Sequence, residues 1–184
     1  VPVDVYDAMP SLGRKFLRAG VGGLNITHGE DYESFCSRYA ERRPQLQAML
    51  DAFPPPAIRQ WCQELGIETY VGSSGRVFPT QMKAAPLLRA WLHRLRDAGV
   101  RLHMRHRWLG WNADGALRLL NPDGEITRTP QATILALGGA SWKRLGSDGA
   151  WAALLAKRGV ALEPFAPSNC GFIVSWSDKM CAYE

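Results

Sequence analysis

The sequence has no run of about 18 apolar residues, so no segment reads as a helix that crosses a membrane. Val1–Asp7 lacks the cationic start and apolar block of a secretory signal, and none is expected there. Cysteine is scarce. Cys36, Cys62, Cys170 and Cys181 are widely spaced with no C-x-x-C pair, which argues against a zinc ribbon or a redox dithiol and favours a reducing compartment. Cytoplasm is the expected location. No Gly-x-x-x-x-Gly-Lys-Ser/Thr loop occurs, which excludes a P-loop nucleotidase. No Ser-His-Asp set, paired-carboxylate motif or metal-ligand cluster stands out either. A chain without its own reactive constellation can still serve redox chemistry when a cofactor brings that chemistry with it.

Glycine and arginine are plentiful. Arginine supplies 17 of the 22 cationic residues, and the formal net charge is +5. Guanidinium groups suit planar, bidentate contact with phosphate or carboxylate, so nucleic acid, nucleotide cofactors and acidic metabolites all fit this balance. Hydrophobic content of 46% and charged content of 21% are those of a globular protein with one buried domain, or one domain and a piece of another. The chain starts without Met inside an apparent strand and ends on "SDKMCAYE" without a clear stop; it is expected to be part of a longer protein.

"VPVDVY" alternates Val1, Val3 and Val5 on one face, and Asp7 follows where the strand should end. Ser11–His28 reads as a glycine-rich connection. Tyr32–Leu65 reads as helical, broken at Pro44 and at Pro54–Pro56. "IETYVG" and "GRVFP" form an expected hairpin about Gly72–Gly75. In "KAAPLLRAWLHRLRDAG", Leu87, Leu88, Trp91, Leu92 and Leu95 make an apolar stripe at helical spacing. "VRLHMRHRWLGW", "ALRLLN" and "EITRTP" read as a three-stranded meander. "ATILALGG" reads as a buried strand, with Ser147 as the cap of the helix that follows. Strands alternating with helices predict an α/β fold with a parallel sheet, carrying inserted helices and the antiparallel meander.

Met9–Glu30 holds five glycines and three cationic side chains. Glycines let backbone amides converge on an anion, and Arg14 and Lys15 could neutralise a pyrophosphate. This segment reads either as a nucleotide cradle or as a solvated loop. Within it Asn25, Thr27 and His28 supply directional donors and acceptors. A second glycine pair, Gly138-Gly139, ends the strand "ATILAL" and repeats the theme. An acid at a strand end, such as Asp7, suits ribose hydroxyls. His93, His103 and His106 read as surface residues.

From Gly13 to His28 the sequence resembles the Gly-Arg-Lys-x-Leu-x-Ser-Gly-x-Gly-Arg-Cys-Asn-x-Thr-Asn pattern of the BaiN-like (YhiN, aminoacetone-oxidase-like) bacterial flavoproteins. "GRVFP" with Lys83-Ala84, and "LALGGASW", are similar to later blocks of that family. Ala19, Gly23-Leu24, His28 and Leu137 depart from its pattern. The resemblance implies a partial FAD/NAD(P)-binding, Rossmann-like domain of the glutathione-reductase class over residues 1–165. Residues 166–184 would begin an inserted β-rich substrate domain. It implies FAD as cofactor, with Asp7 at the adenosine ribose, Gly13, Arg14 and Lys15 along the cofactor, and Gly22, Asn25 and Thr27 near the flavin. Trp108 would occupy the place where such folds meet the adenine through the backbone, and Gly138 and Gly139 would lie beside the phosphates or ribose. It implies electron or hydride transfer between a small organic substrate and NAD(P)H or oxygen. Catalytic residues, substrate and oligomeric state are not assigned, and no metal is expected.

Two other classes stay open at this level. A basic module could grip nucleic acid through the Arg94–Arg107 region. A non-catalytic nucleotide sensor could use the same fold.

Overall fold

The computed structural model of the protein describes residues 1–166. The expected β-rich continuation, Cys170 and Cys181 lie outside the described residues. β1 (Asp4–Asp7) ends at the expected acid and runs parallel to β5 (Arg101–Met104), with Asp4 facing Arg101 and Asp7 facing Met104. Between them come α1 (Arg14–Ala19), β2 (Thr27–His28), α2 (Tyr32–Ser37) and a 3-10 turn at Ala40–Arg42. Then follow α3 (Arg43–Ala52), α4 (Pro55–Glu64), β3 (Thr69–Val71), β4 (Arg76–Pro79) and α5 (Ala84–Asp97). The prolines act at helix starts: Pro44 lies in the first turn of α3, and Pro55 opens α4. An amide missing there would have had no helical partner.

β3 and β4 form the expected antiparallel hairpin, and β2 joins its other edge through Thr27 opposite Val77. The meander is β6 (Arg107–Trp111), β7 (Leu117–Asn121) and β8 (Gly124–Arg128). Helix α6 (Trp151–Ala156) follows the second glycine-rich turn.

The structure corrects the sequence reading in four places. "VRLHMRHRWLGW" is two strands in two sheets. Arg105 takes φ +59°, and its amide and that of His106 bond to the Met9 and Asp7 carbonyls, so pairing with the first strand ends there and the chain turns away. "ATILALGG" is not a strand, and Ile134 is 92% exposed. A strand needs a hydrogen-bonded neighbour, and none of the described residues pairs with this segment. The glycine-rich connection contains α1. Ser147 caps nothing: α6 has Ala150 at its N-cap, and the Ser147 hydroxyl donates to the Gly139 carbonyl.

Leu24, Cys62, Ala84 and Leu87 form the core, with Phe16, Ile26, Trp61, Leu65 and Ile67 packed around them. Helices α1, α4 and α5 and the loop before β2 therefore share one apolar centre. The predicted stripe of α5 is buried only in its first half. Leu87 and Leu88 are buried, whereas Trp91 is partly exposed and meets Trp61 edge-on at 5.3 Å between ring centres. The short α1 covers the N-terminal half alone: Gly13 touches Leu88 and Gly20 touches Ala84.

Candidate functional site

Gly13 starts α1 in the left-handed conformation, φ +68°, and a Cβ there would lie 2.7 Å from Leu88 Cδ2. Only glycine meets both demands, so α1 presses directly on α5. That placement aims the cationic residues of α1 at the second glycine-rich segment. Lys15 Nζ donates to Ser141 Oγ at 2.7 Å, and the Arg18 guanidinium lies 5.3 Å from the centre of the Trp142 ring. The Arg14 Nε hydrogen is buried and meets no acceptor among the described residues. Met9 closes the same region: its amide donates to Asp7 Oδ1 at 2.8 Å, and its Cγ would stand 2.8 Å from a Cβ at Gly146. Lys15, and Asp7 by way of Met9, thus adjoin the 138–147 turn.

The turn is fixed from the other side. The Trp151 indole donates to the Gly138 carbonyl at 2.8 Å, and Arg107 pairs with Asp148 at 2.9 Å. The Ala150 amide, then the Arg107 guanidinium, hold the Asp148 carboxyl below the usual carboxylate range. With the carbonyls of Gly138 and Gly139 engaged, none of the backbone bonds among the described residues is donated by either amide. Trp108 follows Arg107 in β6, where successive side chains point to opposite faces. Its ring meets Trp111 at 4.8 Å, and its indole N–H is buried without an acceptor among the described residues.

The other predicted residues lie elsewhere. Gly22 and Asn25 are exposed in the loop leading to β2, while Thr27 is buried and pairs with Val77. His28 is a hairpin fastener: Nδ1 accepts from the Glu30 amide at 3.3 Å, and Nε2 donates to the Ser74 carbonyl at 3.2 Å. His103 and His106 are not bare surface residues. His103 bonds Asp4 at 2.7 Å, stacks on Tyr6 at 4.6 Å and lies beside His106. Sequence reasoning missed Ser141, Trp142, Trp151 and the Arg107–Asp148 pair. Ser141 and Trp142 close the "LALGGASW" block that carries Gly138-Gly139, a usable signal. The ion pair joins residues far apart in the chain and had none.

The surface fits a diphosphate-linked cofactor in kind. It carries Lys15 and Arg18 against the 138–147 turn, and the Gly138 and Gly139 amides there donate none of the backbone bonds among the described residues. Such groups stabilise anionic oxygen, which would replace water lost on binding. Residues 1–171 match the model of the HI0933-like protein Rossmann domain. The chain belongs to this family. The HI0933-like domain so identified has the parallel pair and separate three-stranded antiparallel sheet expected of it. It is also 29% identical over 170 residues to a 3-dehydro-bile acid delta(4,6)-reductase of Clostridium scindens. That match takes in 90% of this chain and 40% of the relative, so the HI0933-like chain spans less than half of the relative's length.

Proposed function

We propose that this chain is the FAD-binding part of a flavoprotein oxidoreductase, with the cofactor lying between α1 and the 138–149 turn. The supporting observation is the Lys15–Ser141 hydrogen bond, which brings two glycine-rich segments 126 residues apart onto one cationic surface. Family membership and a relative named as a reductase support the same reading. Arg14 Nε, the Lys15 ammonium and the amides of Gly138 and Gly139 would hold the diphosphate. The second Asp7 oxygen would accept from a ribose hydroxyl, and the Trp108 indole would donate at the adenine end. Once bound, the flavin would supply the hydride or electron chemistry, and these side chains would orient it and keep water from the diphosphate.

NAD(P)H or oxygen would be the redox partner, a small organic molecule the substrate, and the cytoplasm the location. Among the described residues no helix is long and apolar enough to cross a membrane. The test is to purify the product of the complete reading frame that encodes this chain. It should carry flavin absorbing at about 450 nm, and Arg14→Met should lower FAD occupancy about tenfold or more, as expected for a lost charged hydrogen bond. A colourless product that ignores added FAD would overturn the reading.

A further inference from the structure

We propose that the groove between α4 and the free edge of β3 binds an extended peptide segment of a partner protein. The peptide is added as a further antiparallel strand, with a glutamate set against Arg59 and a lysine against Glu68. None of the residues assigned to FAD lines this groove, so it stands or falls independently of the flavin reading. Backbone pairing is the starting observation. β3 is the outer strand of its sheet, with β4 on one side and no described residue paired on the other. The Gly72 amide donates to the Arg76 carbonyl at 2.8 Å, and the Thr80 amide to the Glu68 carbonyl at 2.9 Å. Bonded and non-bonded pairs alternate in an antiparallel ladder, so Tyr70 and Phe78 form the bonded pair between these two. Thr69 and Val71 therefore turn their amides and carbonyls outward. Among the described residues one of these four groups is engaged: the Thr69 carbonyl accepts from Arg59 Nη2 at 3.4 Å.

Helix α4 builds the opposite wall. Trp61 and Cys62 turn to the core, while Pro56, Arg59, Gln60 and Gln63 recur at helical spacing on the outer side. Together with the edge of β3 they line a groove of about 820 Å³. From Pro56 to Gln63 the stripe runs about 10 Å, the length of about three extended residues. A helix beside an open strand edge is a geometry that captures peptides by strand addition. Main-chain bonds supply affinity there, and the flanking side chains choose the sequence.

Charge selects the peptide. Arg59 and Glu68 both line the groove, and neither makes an ion pair among the described residues. Arg59 Nε donates to Thr69 Oγ1 at 3.1 Å, which holds the guanidinium on the Thr69 face of the strand. Glu68 precedes Thr69, and consecutive side chains of extended chain point to opposite faces. An added strand alternates in the same way. One dipeptide step, glutamate opposite Thr69 and lysine opposite Glu68, therefore meets both charges. A second copy of β3 meets neither. The antiparallel registers that join the outward groups pair Thr69 with Thr69, Thr69 with Val71, or Val71 with Val71. They set Tyr70, Gly72 or Ser74 against Glu68, and Thr69, Val71 or Ser73 against the Arg59 side. No cation faces Glu68 in any of them, and no anion faces Arg59.

The probe is the peptide acetyl-Thr-Val-Thr-Glu-Lys-Thr-amide, titrated calorimetrically into the product of the complete reading frame. In the antiparallel register its glutamate lies opposite Thr69 and its valine opposite Val71. Glutamine in place of the glutamate should weaken binding about fivefold, and Arg59→Gln, with its fold checked by circular dichroism, should do the same. The two changes together should cost no more than either alone, a coupling that a purely structural Arg59 would not produce. N-methylation of the peptide's valine removes the bond to the Val71 carbonyl without altering the protein, and should cost about tenfold. Absence of binding, additive losses, or indifference to N-methylation would overturn the proposal. Sedimentation that revealed a dimer dissolved by Arg59→Gln would give the groove to a second copy and overturn it too.

Discussion

Single positions in this protein are decided by two separate costs, backbone conformation and space. Gly13 and Gly22 both have positive φ, +68° and +86°, but only Gly13 faces a neighbour, Leu88. Gly22→Ala should therefore cost about 1 kcal/mol from backbone strain alone. Gly13→Ala adds overpacking of α1 on α5 and should cost about 1–3 kcal/mol more. Urea denaturation of the two variants separates these terms, and equal losses would show that the α1–α5 contact is loose. The sequence flagged the glycine-rich loop as a whole. It could not say which glycine meets a helix, because the neighbour is contributed from Leu88, distant in the chain.

The elements follow local pattern wherever their partners are near. The β3–β4 hairpin, the meander turns and the proline-started helices all form as expected, since neighbouring residues supply the hydrogen bonds. The α5 stripe was legible as a helix but not as a gradient of burial. Leu87→Ala should cost about 2–5 kcal/mol, because Leu87 is only 2% exposed. Trp91→Ala should cost clearly less, because its ring is covered on one edge by Trp61 and open elsewhere. Matching losses in thermal unfolding would contradict the structure. Segment 132–137 makes the opposite case: its apolar pattern is that of a strand, yet none of the described residues pairs with it. Ile134→Ser should change stability of this chain by no more than about 0.5 kcal/mol.

Across the whole molecule, ion pairs both local and distant in the chain tie elements and turns together. The Arg101 guanidinium, then His103, lowers the Asp4 pKa; Arg38 lowers that of Glu30, and the Ala150 amide with Arg107 lowers that of Asp148. A carboxyl whose folded pKa lies below its unfolded value stabilises the fold above the unfolded value and ceases to as pH falls. The thermal midpoint should therefore hold from pH 8 to 5 and drop below about pH 4. Exposure keeps each pair's contribution small, and added salt should shrink the effect further. A midpoint that rose on acidification would refute these pairings. The sequence by itself determined the α/β class, the proline-started helices, the hairpins and the two glycine-rich segments, because periodicity and turn chemistry act between near neighbours. Only the tertiary structure decided that Lys15 reaches Ser141, that Arg107 reaches Asp148, that the Arg14 and Trp108 donors are buried without acceptors among the described residues, and that Ala132–Leu137 forms no strand. Those outcomes depend on which surfaces meet, and that is set by the packing of elements far apart in the chain.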